Sequence, residues 1–289
     1  MISMQECNSC IGCMEPLVVK TVLNSTKDKK IVSLATGCLE VASTKYPNSA
    51  WKVSTIHSAF GNTAATMAGI ETAFNVLKRK KKIKEDIKFL VVAGDGGTYD
   101  IGLQALSGAM ERGHDFVFLC LDNGAYMNTG GQRSSSTPYG SITSTTPSGK
   151  LSFRKDLVKI ANAHDIPYIA QASIFDLEDL KMKAKKAFSI KGPSLINVLV
   201  PCIRFWRFNI VDLKKINETA IKTNFWSLYE IENGKIKINY KIEKRLPIEE
   251  FLKLQGRFKH LDKKQIKIIQ EKIDRDYEEL LKRDSNSLI

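Results

Sequence analysis

Nowhere in the 289 residues do about eighteen apolar residues follow one another, so no membrane-spanning helix is expected. The opening "MISMQECNSCIGCMEPL" lacks a charged segment leading into an apolar one, which argues against a secretory leader and sets a cytoplasmic expectation. Internal repeats and long low-complexity linkers are also missing, which leaves a globular chain as the default. Acidic residues are the scarcer charge, 31 Asp+Glu against 44 Lys+Arg, for a formal net charge of +13. That balance admits nucleic acid, an acidic protein or a phosphorylated ligand. Lys is scattered, however. The one dense run, "KRKKKIK" at 78–84, falls where a helix gives way to a strand. It reads as a solvated helix end, and no nucleic-acid partner is expected. With 43% apolar residues the chain can bury a substantial core.

Short apolar, β-rich runs alternate with stretches of helical period. "KIVSLAT" at 30–36, "IKFLVVAG" at 87–94, "DFVFLCLD" at 115–122 and "SLINVLV" at 194–200 read as strands. Helices are expected over 62–80, 100–112, 153–163 and 175–188. The alternation predicts an α/β protein with a doubly wound, mostly parallel sheet. "LVVAG" and "FVFLCL" are near-continuous apolar runs, as central strands buried on both faces require. Residues 1–200 are read as the α/β domain. Residues 201–289, charged and amphipathic as in "DKKQIKIIQEKIDRDYEELLKR", are read as a peripheral C-terminal extension.

In such a sheet ligands sit at the carboxyl ends of strands, and "VVAG-DGG" and "CL-DNGAY" are two strand ends followed by Gly-rich turns. Gly94, Gly96 and Gly97 let backbone approach a ligand closely, and Asp95 supplies the hard oxygen that Mg²⁺ prefers. Asn123 offers a second oxygen and the Ala125 carbonyl a third, with phosphate oxygens completing the shell. A lone Asp-Gly is more often a simple turn. With Asn123 at the next strand end and "NTGGQRSSSTPYG" behind it, a metal-bridged diphosphate fits better. A dinucleotide fingerprint is absent because the acid itself occupies the turn, and no Gly-Lys-Ser/Thr marks a P-loop.

Three of the six cysteines crowd into "CNSCIGC". In a reducing compartment that spacing reads as a metal or cluster site rather than a disulfide framework. Cys10-x-x-Cys13 supplies one pair, and Cys38 and Cys202 each follow an expected strand. Four thiolates suffice for a four-iron four-sulfur cluster; zinc is equally compatible with them, and Cys7-x-x-Cys10 is an alternative pair. Cys120, inside "FVFLCLD", reads as a core residue. Trp206 and Tyr168 also read as core, His57 as an ordinary hydrogen-bonded histidine, and His114 as part of a helix-to-strand turn.

The segment "GDGGTYDIGLQALSGAMERGHD", followed by "DNGAYMNTGGQRSSSTPYG", resembles the thiamine-diphosphate half of pyruvate:ferredoxin oxidoreductase, in particular its separate β subunit. The likeness extends to "TGCLEV" at 36–41, "IHSAFGNTAATMAGIE" at 56–71, "PC" at 201–202 and "IEEFLKLQGRFKHL" at 248–261. One departure is Gly124, where the family's "DNEAY" has Glu. The resemblance implies a thiamine-diphosphate-binding fold in which Asp95, Asn123 and the main chain of Ala125 hold Mg²⁺. It places Asn128 near the thiazolium and the substrate as the catalytic residue, with Thr129, Gly130 and Gln132 completing that loop. It selects Cys10, Cys13, Cys38 and Cys202 for the 4Fe–4S cluster.

The reaction so implied is oxidative decarboxylation of pyruvate with coenzyme A, electrons leaving through the cluster to ferredoxin or flavodoxin. A branched-chain 2-oxo acid enzyme would share these motifs. A zinc-stabilised, non-enzymatic nucleotide-binding module is the alternative of another class. The carboxylate that must face the aminopyrimidine is missing: Glu40 and Glu71 are the nearest glutamates, and both have adequate structural readings. The resemblance assigns that acid to an α subunit, with γ and δ subunits completing the complex.

Overall fold

The computed structural model describes residues 4, 5 and 7–284. Eight strands form one sheet: β1 (Lys29–Ala35), β2 (Ser54–Ser58), β3 (Ile87–Gly94), β4 (Val117–Asp122), β5 (Tyr168–Ser173), β6 (Ser194–Leu199), β7 (Tyr229–Glu232) and β8 (Lys235–Ile238). Their order is β2-β1-β3-β4-β6-β5-β7-β8. The first six run parallel, and β7 and β8 close one side antiparallel.

Among the described residues ten α-helices connect or flank the strands: α1 (Glu15–Leu23), α2 (Cys38–Ser43), α3 (Thr63–Arg79), α4 (Leu103–Glu111), α5 (Leu157–Asn162), α6 (Leu177–Ser189), α7 (Ile203–Trp206), α8 (Leu213–Lys222), α9 (Glu249–Leu252) and α10 (Lys263–Arg283). The period-2 alternation of the strands splits the core into two layers. Leu90, Val92, Leu119 and Leu121 pack under α1 and α6. Val91, Ala93, Phe118 and Cys120 pack under α3, α4 and α5. The doubly wound α/β sheet expected from the alternation is therefore present, with both faces covered.

The segment after Pro201 contributes more than a periphery. Its Tyr229–Ile238 hairpin extends the sheet, and its aromatic residues form a third core cluster with Ala125 and Leu199. Asn233 and Gly234 have φ of 48° and 77°, the pair of positive values that a two-residue hairpin turn demands. The strand β5 was also unexpected from sequence, because Gln171 and Ser173 interrupt its apolar character. A third difference lies after β3. Helix expected from Asp100 instead begins at the strand end, as a π-turn over Gly96–Asp100 that runs into α4. Such wide turns recur at functional sites.

Candidate active site

After β1 the chain turns outward to β2, whereas after β3 it turns the other way to β4, so the carboxyl ends of β1 and β3 flank the topological switch point. A cavity of about 170 Å³ opens there. Its wall takes Thr36, Gly37 and Cys38 from beyond β1, Gly94, Asp95, Gly96 and Gly97 from β3, and Asn123, Ala125, Asn128 and Thr129 from beyond β4. The predicted binding residues thus meet on one wall, except Gly130, with φ 114°, and Gln132, which lie outside it. A larger cavity of about 460 Å³, between α10 and the β5–β7 side of the sheet, contains none of them.

Gly94 pairs with Leu121 in register, which sets Asp95 and Asp122 side by side at the ends of adjacent strands. Asp95 is 1% exposed. Its Oδ2 accepts a hydrogen bond from Ser134 Oγ, while Oδ1 has no partner. Burial, then the charge of Asp122, pushes its carboxyl well above the usual range. A buried oxygen without a donor is the position a divalent cation would fill.

Asn123 is held at both ends: its Nδ2 donates to Glu15 Oε1 at 3.1 Å, and Trp206 Nε1 donates to its backbone carbonyl at 2.7 Å. Its Oδ1 accepts from the Ala125 amide at 3.2 Å. Glycine at 96 is required by space: a Cβ there would lie 2.4 Å from the Tyr126 ring, which packs across the turn. The residues present therefore fit a metal-bridged diphosphate: one bare carboxylate oxygen, an oriented amide, and backbone with no side chain in the way.

The loop behind the site is fastened residue by residue. Ser134 donates to Asp95, Ser135 donates to Asp100 through both its amide and its hydroxyl, and Ser136 donates to Asp122. Lys150 Nζ ties the same stretch by donating to the carbonyls of Ser134, Ser135 and Thr137 at 3.3, 3.2 and 2.7 Å. At the mouth, exposed Asn128 and Thr129 are left free of the core, and Thr129 Oγ1 donates to Gln132 Oε1 at 2.6 Å.

Cys38 opens onto the cavity, and Cys13 and Cys202, both half-buried, are not among its lining residues. Burial, then the charge of Glu15, pushes the Cys13 thiol up, with Cys202 and Cys38 adding to it. The same causes raise Cys38 to about 12, with Cys202 and Cys10 contributing. The four sulfurs of Cys10, Cys13, Cys38 and Cys202 are thus electrostatic neighbours. Among the described residues, however, no three His, Cys, Asp or Glu side chains converge on a single ion. The donor set itself, four thiols, is compatible with either an iron–sulfur cluster or zinc. Cys7 packs instead against the core under α1, and Cys120 is fully buried.

Of the two in-chain carboxylates considered, only Glu40 lines the cavity, accepting from Thr44 Oγ1 at 2.6 Å with His57 Nδ1 3.5 Å away. Glu71 is engaged elsewhere, with Asn75 at 2.6 Å and His114 at 3.0 Å. Glu15 was not anticipated. It lies on the cavity wall, and burial raises its carboxyl to about 7 against the hydrogen bond from Asn123. Its position at the start of α1, just after the cysteine-rich loop, gave no sign of reaching a strand end 108 residues away.

Fold and site together define a thiamine enzyme. Residues 35–198 match the model described as thiamine pyrophosphate enzyme, C-terminal TPP binding domain. The chain is 47% identical over 287 residues to "Pyruvate synthase subunit PorB" of Thermotoga maritima, covering 94% of this chain and 89% of that one. It is 44% identical over 281 residues to "Ketoisovalerate oxidoreductase subunit VorB" of Pyrococcus abyssi, covering 95% and 90%. The solved 2-oxoglutarate:ferredoxin oxidoreductase of Magnetococcus marinus shares the fold, with a TM-score of 0.56 over 68% of each chain at 22% identity. The chain belongs to the β-subunit family of the 2-oxo acid:ferredoxin oxidoreductases.

Proposed function

We propose that this chain is the β subunit of a cytoplasmic pyruvate:ferredoxin oxidoreductase, binding the diphosphate of thiamine diphosphate through Mg²⁺ and carrying a 4Fe–4S cluster. The observation that carries the reading is the bare, buried Oδ1 of Asp95 on the same cavity wall as Cys38. Cofactor and electron exit would then be neighbours.

Asp95 and Asn123, with the Ala125 carbonyl, would hold the metal, and Gly96 and Gly97 would admit the diphosphate. Thiamine diphosphate, when bound, supplies the carbon nucleophile and electron sink for decarboxylation. This chain's part is to orient it, exclude water and lead electrons away. Asn128 at the mouth would lie near the thiazolium and the substrate, with Thr129, Gly130 and Gln132 shaping the loop. Cys10, Cys13, Cys38 and Cys202 would ligate the cluster, and coenzyme A and ferredoxin or flavodoxin would be the acyl and electron acceptors.

A cavity of about 170 Å³ falls below the roughly 300–1,000 Å³ of ordinary ligand sites. That size, with Asn128 and Thr129 exposed at its rim, supports closure by an α subunit, with γ and δ subunits beyond it. Among the described residues no helix is long and apolar enough to cross a membrane.

The test is the co-expressed complex, purified without oxygen and offered a panel of 2-oxo acids with coenzyme A and ferredoxin. Pyruvate should be preferred, and this chain alone should turn over none. A preference for 2-oxoisovalerate would select the second reading, which the 44% relative named for ketoisovalerate keeps in play. Cys38→Ser and Cys202→Ser should lose iron, and Cys120→Ser and Cys7→Ser should keep it. Full iron in Cys38→Ser would refute the ligand set.

A further inference from the structure

Arg257 is fully buried, 0% exposed, in the short turn Gly256–Phe258 that follows α9. Its Nε donates to Gln255 Oε1 at 2.9 Å, but Nη1 and Nη2 have no partner. Three rings cage the guanidinium, with the carbon 4.1 Å from the Trp206 centroid, 4.8 Å from Phe258 and 5.0 Å from Phe205. A desolvated cation–π contact contributes about 2 kcal/mol, less than the several kcal/mol that burying a charge costs. A guanidinium does not lose its proton to escape that cost. It needs an anion.

No carboxylate hydrogen-bonds the guanidinium to supply one. Asp122 is taken by Arg154, whose Nη2 donates to its Oδ2 at 2.6 Å. Asp95 accepts from Ser134 through Oδ2, and its bare Oδ1 is the oxygen proposed above for Mg²⁺. The nearest point of the β4 end is Gly124, where a Cβ would stand only 3.3 Å from Nη1, so no side chain intervenes. Foremost among the ionisable groups acting on Arg257 is Cys202, ahead of Asp122 and Asp95. Cys202 caps α7, the helix that carries the Phe205 and Trp206 rings of the cage, and packs in the same core cluster as Phe258.

We infer that Arg257 is the built-in counter-charge of the metal–thiolate group ligated by Cys202, its free guanidinium N–H groups facing that anion. The inference rests on the cluster reading above. A four-thiolate cluster gains one negative charge when it takes up one electron, and no proton need accompany it. A fixed cation beside it favours the reduced form. Arg257 is a positioning residue that sets how readily the cluster accepts an electron.

The test uses the full chain, reconstituted with iron and sulfide under anaerobic conditions and titrated against dithionite, with the reduced cluster read by electron paramagnetic resonance. In Arg257→Met and Arg257→Gln, iron content should match wild type. At the potential that half-reduces wild type, the ratio of reduced to oxidised cluster should fall about tenfold. Arg257→Lys, which keeps the charge, should recover most of that ratio. Without iron, Arg257→Met should unfold at a higher denaturant concentration than wild type, because it removes an unanswered buried charge.

A wild-type midpoint in either loaded neutral variant would overturn the inference. Failure of both neutral variants to fold without iron would overturn it too, since the guanidinium would then serve the fold irrespective of the cluster. A wild-type chain that takes up no iron would sink the cluster reading, and this inference with it.

Discussion

The ends of β3 and β4 lie side by side and bury an aspartate each, both 1% exposed, yet the two acids are treated oppositely. Asp122 is saturated: its Oδ2 accepts from Tyr99 at 2.7 Å and Arg154 at 2.6 Å, and its Oδ1 from Ser136. Asp95 has one donor, Ser134, and a bare oxygen. Buried polar groups are ordinarily satisfied, and the exception is the place where we propose a ligand. Burial alone would not have told the frame from the site. Satisfaction does.

The largest way to break that comparison is Asp122→Ala. It strips a buried partner from Arg154 and Tyr99 and should cost about 3–5 kcal/mol in urea unfolding of the isolated chain. Wild-type stability would remove Asp122 from the frame. Gly96→Ala sets a methyl against the Tyr126 ring at the end of β3. It should cost about 1–3 kcal/mol, and Gly96→Ala paired with Tyr126→Ala should recover part of this in the same assay.

Asp95→Asn should move in two directions at once. The Asp95 carboxyl is raised in the folded chain, so the folded state holds its proton where the unfolded state has released it. Stability then declines as pH rises above the ordinary carboxylate range. The amide removes that decline, and the variant without cofactor should be the more stable protein at neutral pH. Affinity of the complex for Mg²⁺ and thiamine diphosphate should meanwhile drop at least about tenfold, roughly 1.4 kcal/mol by calorimetry. A variant less stable and equally tight in binding would merge the two acids into one class.

The smallest effect concerns the loop that touches both acids. Burial lowers the Lys150 ammonium to about 8, from 10.5 in the unfolded chain. The unfolded state binds the extra proton between those values, so stability should rise as pH climbs from about 8 towards 10.5. Lys150→Met should flatten that rise in unfolding curves taken across the window.

The sequence made β1, β3, β4 and β6 legible because buried parallel strands are written as unbroken apolar runs. It hid β7 and β8, whose "YEIENGKIKI" alternates charge with apolar residues, although Asn233-Gly234 is a hairpin signal in plain sight. That Asp95 and Asn123 would come together at one cavity could be read because strand ends are local features. Glu15, Tyr126 and Arg154 could not, since each reaches the site across many residues of chain and carries no motif of its own. "RSSSTPYG" reads as part of the loop behind the ligand site, but nothing in the letters tells that three of its hydroxyls serve three separate carboxylates.

That run has a consequence for how the protein can vary. Surface loops ordinarily accept an inserted or deleted residue. Here Ser134, Ser135 and Ser136 are matched in succession to Asp95, Asp100 and Asp122, which belong to three different places in the fold. Losing one serine would shift each later hydroxyl to its neighbour's acid and draw Thr137 away from the Gly124 carbonyl it now bonds. Substitution here erases a single pairing, whereas a change of length misreads all that follow it, as a frameshift does in a gene.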